Sequence, residues 1–187
     1  PVKRAVDLVE VLVGVREKFP DASLVVVGEG SQRSEMLDLV DSRDLVKDFL
    51  LIGSRAQEWI ASFLAEADVV VAPMMGRALV EAALSATPIV AYDTDWHGEL
   101  IDDGETGRLV SCGDVAAMTR AVCDLLTQRE SGRIMGGFAR LRVMDSMSRD
   151  TVLAAEREAW ARLVPHLVDE DPGDSHTPDK TEGTGGR

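Results

Sequence analysis

The sequence predicts an α/β domain with a doubly wound parallel sheet. Three observations carry this. Five short apolar runs lack apolar–polar alternation, so each reads as a strand covered on both faces. Each run ends in a glycine, a proline or a polar loop and is followed by a stretch with helical spacing, and that alternation makes a parallel sheet with helices on both sides. The chain has 187 residues, 45% hydrophobic and 28% charged, enough to bury a core without staples.

The elements follow in order. Apolar residues at Val2, Ala5, Val6, Val9, Leu12 and Val13 predict a helix over 2–19, stopped by Pro20-Asp21. The run 24–27 is a strand ending in Gly28-Glu29-Gly30, and Ser31 is placed to cap a helix to about Val40, with Met36, Leu37 and Val40 inward. A strand over 49–52 ends at Gly53, and a helix over 56–67 carries Trp59, Ile60, Phe63, Leu64 and Ala67 on one stripe. The strand 69–72 ends at Pro73, and Gly76 opens a helix over 77–85. The strand 89–91 leads into the polar loop Tyr92-Asp93-Thr94-Asp95, a short helical turn over 99–102 and a turn over 104–107. After a last strand at 109–110, Asp114 caps a helix with Val115, Met118, Ala121, Val122 and Leu125 inward. Further helix is expected over about 132–144 and 149–164, ended by Pro165. The domain is expected to occupy 1–168, with a disordered acidic tail over 169–187.

Composition excludes several classes. Two cysteines, Cys112 and Cys123, make neither a disulfide scaffold nor a four-cysteine zinc site. No apolar run approaches the roughly 20 residues of a membrane span, and no signal peptide is visible. The net charge of −13 argues against nucleic acid as a partner. The tail carries −4 of it, leaving −9 on the body. Because the chain opens at Pro1 inside a helical pattern, it reads as a fragment or an excised domain.

Parallel sheets bind ligands beyond the carboxyl ends of their strands. Gly28 and Gly30 stand there, where glycines let a backbone approach a phosphate; a tight turn alone is the equal alternative. Gly76 and Arg77 suit a diphosphate, and Glu81, one turn deeper, can accept from a ribose diol, the alternative being an Arg77–Glu81 surface pair. Asp93, Asp95, His97 and Glu99 cluster after the fourth run, but a single histidine with Asp-x-Asp turn chemistry makes a poor metal site. Trp96 and His97 are expected to line a pocket or cover the sheet edge, and Cys123 to lie in the core.

These segments together are familiar. Lys3, the run from Pro20 to Gly30, Leu51-Ile52-Gly53 and the run from Ala67 to Pro73 are followed by the run from Gly76 to Ala91. Then come Glu99-Leu100-Ile101, Gly104-Glu105-Thr106-Gly107 and Gly113-Asp114. In this order and spacing, over about 3–127, they resemble the carboxyl-terminal, donor-binding domain of GT-B glycosyltransferases of family 4, the group 1 transferases. The final helix, 149–164, is similar to the one with which the family packs back toward its other domain.

The resemblance implies a Rossmann-like domain that binds a nucleotide-diphosphate sugar and transfers the sugar with retention of configuration, without a cofactor or a metal. It implies that Glu81 bonds the ribose and that backbone N–H groups of Gly76, Arg77, Ala78 and Leu79 face the diphosphate or sugar. It also implies that Lys3, on the first helix, contacts the phosphates, that Gly53 lines the base, and that Glu99 lies in the donor site. No catalytic residue is assigned, and base, sugar, acceptor, linkage and oligomeric state stay open. Family acceptors are often lipid-linked, which implies contact with a membrane surface through the acceptor domain. The lack of targeting signals favours the cytoplasm as the expected location, and a lipid-linked acceptor would put the chain at the inner membrane face.

Three departures are visible. Pro73 stands where the family has a second acid eight residues before the ribose glutamate, and the loop between them is short. Trp96-His97 replaces the usual glycine pair. The first strand and the acceptor domain are absent, so the chain is expected to hold half an active site and to be inactive alone. In a sheet of order 3-2-1-4-5-6 that first strand lies in the middle. The strands at 24–27 and 69–72 should then flank an unfilled place, with poor solubility or molten behaviour as the consequence. A non-catalytic nucleotide-sugar-binding remnant and half of a nucleotide-sugar epimerase are the alternatives. A receiver-type signalling domain would need an aspartate at the third strand end, where Ala72 and Pro73 stand.

Overall fold

The computed structural model describes residues 3–147 and 149–163. They fall in two compact units, 1–147 and 148–187. The expected tail and the boundary at 168 lie outside the described residues. In the second unit the described part is one helix, α8 (Arg149–Leu163), with Trp160 and Leu163 exposed and an Arg162–Glu158 ion pair along it.

The first unit alternates as expected: α1 (Asp7–Lys18), β1 (Leu24–Val26), α2 (Arg33–Ser42), β2 (Phe49–Leu51), α3 (Gln57–Glu66), β3 (Val70–Ala72), α4 (Ala78–Leu84), β4 (Ile89–Asp93), α5 (His97–Leu100), β5 (Arg108–Ser111), α6 (Val115–Thr127) and α7 (Arg129–Ser146). All ladders are parallel: β1 on β2, β3 on β4 and β4 on β5.

β4 shows the double winding residue by residue. Successive side chains of a strand point to opposite faces. Ile89 and Ala91 enter a core with Leu79, Ala82 and Ala83 of α4 and Ala139 and Val143 of α7. Val90 and Tyr92 enter another with Val11 and Val15 of α1 and Met118, Ala121, Val122 and Leu125 of α6. A third core joins Val9 and Leu12 of α1 to Met36, Val40, Leu45 and Phe49. α1 therefore packs on both halves of the domain.

The sheet is divided. β1 and β2 form one sheet and β3, β4 and β5 another, with no ladder between β1 and β3. A cleft of about 570 Å³ separates them, lined by Leu12, Val15, Leu24, Phe63, Val69 and Val71 among others. This is the place expected between the strands at 24–27 and 69–72.

Several boundaries differ from expectation. α1 starts at Asp7, because Arg4 has φ 52°, a left-handed conformation that a continuing helix excludes. Lys3 thus lies ahead of the helix, not on it. Gln32, not Ser31, precedes α2, which has no side-chain cap, and Leu37 is exposed. The α3 stripe contains no buried residue; Trp59 stacks on Phe63 with ring centroids 5.0 Å apart, and Phe63 faces the cleft rather than a filled layer. Tyr92 continues β4 instead of opening a loop. Asp114 caps α6 as expected, its Oδ1 accepting from the Ala117 N–H at 2.8 Å. Both cysteines are free; burial raises the Cys123 thiol above its ordinary value, and Cys112 is exposed.

Candidate functional site

Parallel pairing puts the strand ends of each half on one edge, and local bonds join the loops there. In the smaller half, the Gly28 N–H donates to the Gly53 carbonyl at 2.9 Å. Gly28 has φ 121° and Gly53 φ 65°, conformations that disfavour any other residue. A Cβ on Gly53 would also meet Glu29 Oε1 at 2.7 Å. Gly30 is exposed, with open space around it.

The start of α1 ties the halves together. On one side the Ala5 N–H donates to Gln32 Oε1 at 3.0 Å, just ahead of α2. On the other, Asp7 Oδ2 accepts from the Tyr92 hydroxyl at 2.9 Å and from Arg4 Nε at 2.7 Å. The Arg4 guanidinium also lies 5.7 Å from the Tyr92 ring centroid. Tyr92 has no exposed surface. Burial, then the bond to Asp7 and its charge, raises the phenol well above its ordinary value. The Asp7 bond and charge likewise raise Arg4. A buried tyrosine hydroxyl needs a partner, so Tyr92 at the end of an apolar run was the signal for this cluster. Arg4, Asp7 and Gln32 carry no such signal, because their roles depend on which loops meet.

In the larger half, Gly76 and Arg77 are exposed and Leu79 is buried in the core under α4. Ala78 opens α4 and Glu81 lies in its first turn, half-buried. Among the described residues no ion pair joins Arg77 to Glu81, so the surface-pair alternative does not form. Pro73 is buried at the end of β3. His97 is not a pocket wall: it has no exposed surface and bridges the loops after β3 and β4, its Nδ1 2.9 Å from the Tyr92 carbonyl oxygen and its Nε2 2.9 Å from that of Met75. Trp96 packs partly buried against the α4 core.

The remaining candidates stand apart. Lys3 is exposed. The Glu99 side chain is exposed, while its carbonyl accepts from Arg142 Nε at 3.2 Å and Nη2 at 3.0 Å; Arg142 also pairs with Asp102. Among the described residues, no three or more His, Cys, Asp or Glu side chains are arranged to hold a metal ion, and no helix is long and apolar enough to cross a membrane.

Residues 1–128 match the family model described as glycosyl transferases, group 1. The chain is 36% identical over 124 residues to a phosphatidyl-myo-inositol mannosyltransferase of Mycobacterium leprae, covering 64% of this chain and 32% of the relative. It is 31% identical over 137 residues to a 2-deoxystreptamine N-acetyl-D-glucosaminyltransferase of Streptomyces fradiae, covering 71% and 32%. The chain thus spans about a third of the length of these curated relatives. Among solved structures, a Staphylococcus aureus TarM mutant in complex with fondaparinux, alpha-GlcNAc-glycerol and UDP superimposes with TM-score 0.78 at 23% identity, over 91% of this chain and 34% of the other. Anabaena HepE in complex with UDP-glucose gives 0.76 at 21%, over 86% and 46%. The strand–helix order, the linked strand-end loops and the match across two thirds of the sequence converge: this chain belongs to the group 1 glycosyl transferases.

Proposed function

We propose that the body of this chain is the donor half of a glycosyltransferase, holding a nucleotide-diphosphate sugar at the carboxyl ends of its strands and transferring the sugar when joined to an acceptor domain. The observation that carries this is the linkage of the strand-end loops of both sheet halves through Ala5 and Asp7 at the start of α1. TarM and HepE, which share the fold, hold UDP or UDP-glucose in their structures. In this reading Glu81 accepts from the ribose diol, and the N–H groups at Gly76, Arg77, Ala78 and Leu79 face the diphosphate or sugar. Lys3 and Arg77 supply positive charge to an acidic protein, with Arg4 next to Lys3 in sequence. Gly28 and Gly30 allow close approach, Gly53 lines the base and Glu99 borders the sugar. No metal ion takes part, and the protein works in the cytoplasm, at a membrane face where the acceptor is lipid-linked.

The test is ligand-observed NMR and calorimetry with UDP-, GDP- and ADP-sugars. Glu81→Ala is expected to weaken the bound nucleotide sugar by about 1.5–3 kcal/mol, the value of a charge-assisted hydrogen bond. Affinity should fall with salt and survive EDTA. Equal affinity in Glu81→Ala removes the ribose role, and binding lost on chelation and restored by magnesium or manganese contradicts the metal-free reading.

A further inference from the structure

His97 is wholly buried, and the donor reading leaves it without a task. Its ring is gripped at both ends. Nδ1 lies 2.9 Å from the Tyr92 carbonyl oxygen, in the buried strand β4. Nε2 lies 2.9 Å from the Met75 carbonyl oxygen and 3.2 Å from the Met75 amide nitrogen. Trp96 stands edge-on to the ring, centroids 6.0 Å apart. An imidazole nitrogen that bears hydrogen donates, and one without it accepts. The Tyr92 carbonyl can only accept, so Nδ1 bears the hydrogen when it holds Tyr92. Nε2 then accepts from the Met75 N–H when the ring is neutral and donates to the Met75 carbonyl when both nitrogens bear hydrogen, and in both forms the backbone of the loop after β3 is tied to the end of β4.

The Met75 carbonyl shares a peptide plane with the Gly76 N–H. The described chain contains no cis peptide, and across a trans peptide C=O and N–H point in opposite directions. With the Met75 oxygen turned onto a buried ring, the Gly76 N–H is turned away from it. Gly76 is exposed, a Cβ there would meet nothing within 4 Å, and no described group accepts from its N–H. A phenyl ring would fill the space of the imidazole but would leave the Tyr92 and Met75 groups without partners. A glycine peptide is also the one most prone to turn over if released.

Resting on the donor reading above, we infer that His97 is a positioning residue: it clamps the Met75–Gly76 peptide so that the Gly76 N–H is aimed at the donor diphosphate. Three variants separate its two grips. The Gln amide reaches the place of Nε2 and can hold Met75; the Asn amide reaches the place of Nδ1 and can hold Tyr92 only; Phe holds neither.

The experiment measures Kd for UDP, GDP and ADP by calorimetry, follows the Gly76 amide in nitrogen-labelled full-length chain, and records the Tm of each variant. In the unsubstituted protein the Gly76 amide should shift on binding. His97→Phe and His97→Asn should weaken the best nucleotide about tenfold or more, as expected for a lost bond to a charged group, while His97→Gln stays within about threefold. A purely structural histidine would instead rank the variants by Tm, with Gln no better than Asn at equal stability. If His97→Phe does not fold, the Gln–Asn pair decides. Binding with an unmoved Gly76 amide, or equal Kd in Gln and Asn, overturns the clamp alone. Failure of the unsubstituted protein to bind all three nucleotides overturns the donor reading and the clamp with it.

Discussion

β4 and β1 are similar as sequences and different as structure. Ile89, Val90, Ala91 and Tyr92 have no exposed surface at all, whereas Leu24, Val25 and Val26 are only half-buried. β4 has a strand on each edge and helices on each face. β1 has β2 on one edge, the cleft on the other, and α1 as the helix it shares with the larger half. An apolar run becomes a core strand only where neighbours exist on all four sides. The candidate donor residues divide along the same line: Gly28, Gly30 and Gly53 belong to the thin half, and Gly76, Arg77, Ala78, Leu79 and Glu81 to the thick one. The lead-in and first turn of α1, through Ala5 and Asp7, are bonded to both.

The strongest way to break this contrast is to damage the thick half. α7 passes so close to the turn between α4 and β4 that a Cβ on Gly136 would lie 2.1 Å from the Ala86 carbonyl oxygen, a backbone atom that cannot swing aside. Gly136→Ala is expected to cost about 3 kcal/mol, at the upper end for overpacking. Gly137→Ala, one residue on in open space, should gain up to about 1 kcal/mol in helix propensity. Chemical denaturation of the pair checks this; equal stabilities would mean that α7 does not seat on that turn.

Hydrogen exchange sharpens the comparison without a mutation. Amides of β4 should exchange only with global unfolding, and those of β1 and β2 at lower free energy, because fewer apolar contacts hold them. Equal protection in the two halves would show that α1 makes them one cooperative unit.

The smallest effect concerns the link itself. The folded protein holds the Tyr92 proton more tightly than the unfolded chain, so this group binds more protons in the native state between its ordinary value and its raised one. Its contribution is present in full below about pH 10 and fades as pH rises beyond that. Tm should decline above that pH, and Tyr92→Phe should flatten the decline while costing about 1 kcal/mol near neutrality. Tyr92 is the single tyrosine, so phenolate absorbance reports it alone; a midpoint at the ordinary value would mean that Tyr92 is not held buried against Asp7 in solution.

Local chemistry explains why the strands, the Asp114 cap and the order of the helices were legible. Continuous apolar runs, turn glycines and helical spacing act over a few residues. The start of α1 was misread because its apolar spacing continues through residues whose backbone Arg4 interrupts, and spacing says nothing of φ. The apolar stripe of α3 is legible, but its surroundings are not: Phe63 and Ala67 line the cleft while Leu64 packs on the α4 core, since periodicity reports which side is apolar and not what fills the space opposite.

The candidate site divides in the same way. Gly28, Gly53 and Gly76 stand in the loops after strands and Glu81 in the first turn of the helix that follows one, and such places can be found from sequence because the apolar runs stop there. The bonds that join those ends, Gln32 with Ala5, Tyr92 with Asp7 and His97 with Met75, connect residues 27, 85 and 22 positions apart. Nothing in a short window marks such partners. Only packing α1 across both half-sheets, and burying Tyr92 and His97 between loops, decides which groups meet, because a tyrosine hydroxyl and an imidazole with no exposed surface must find their partners within the protein.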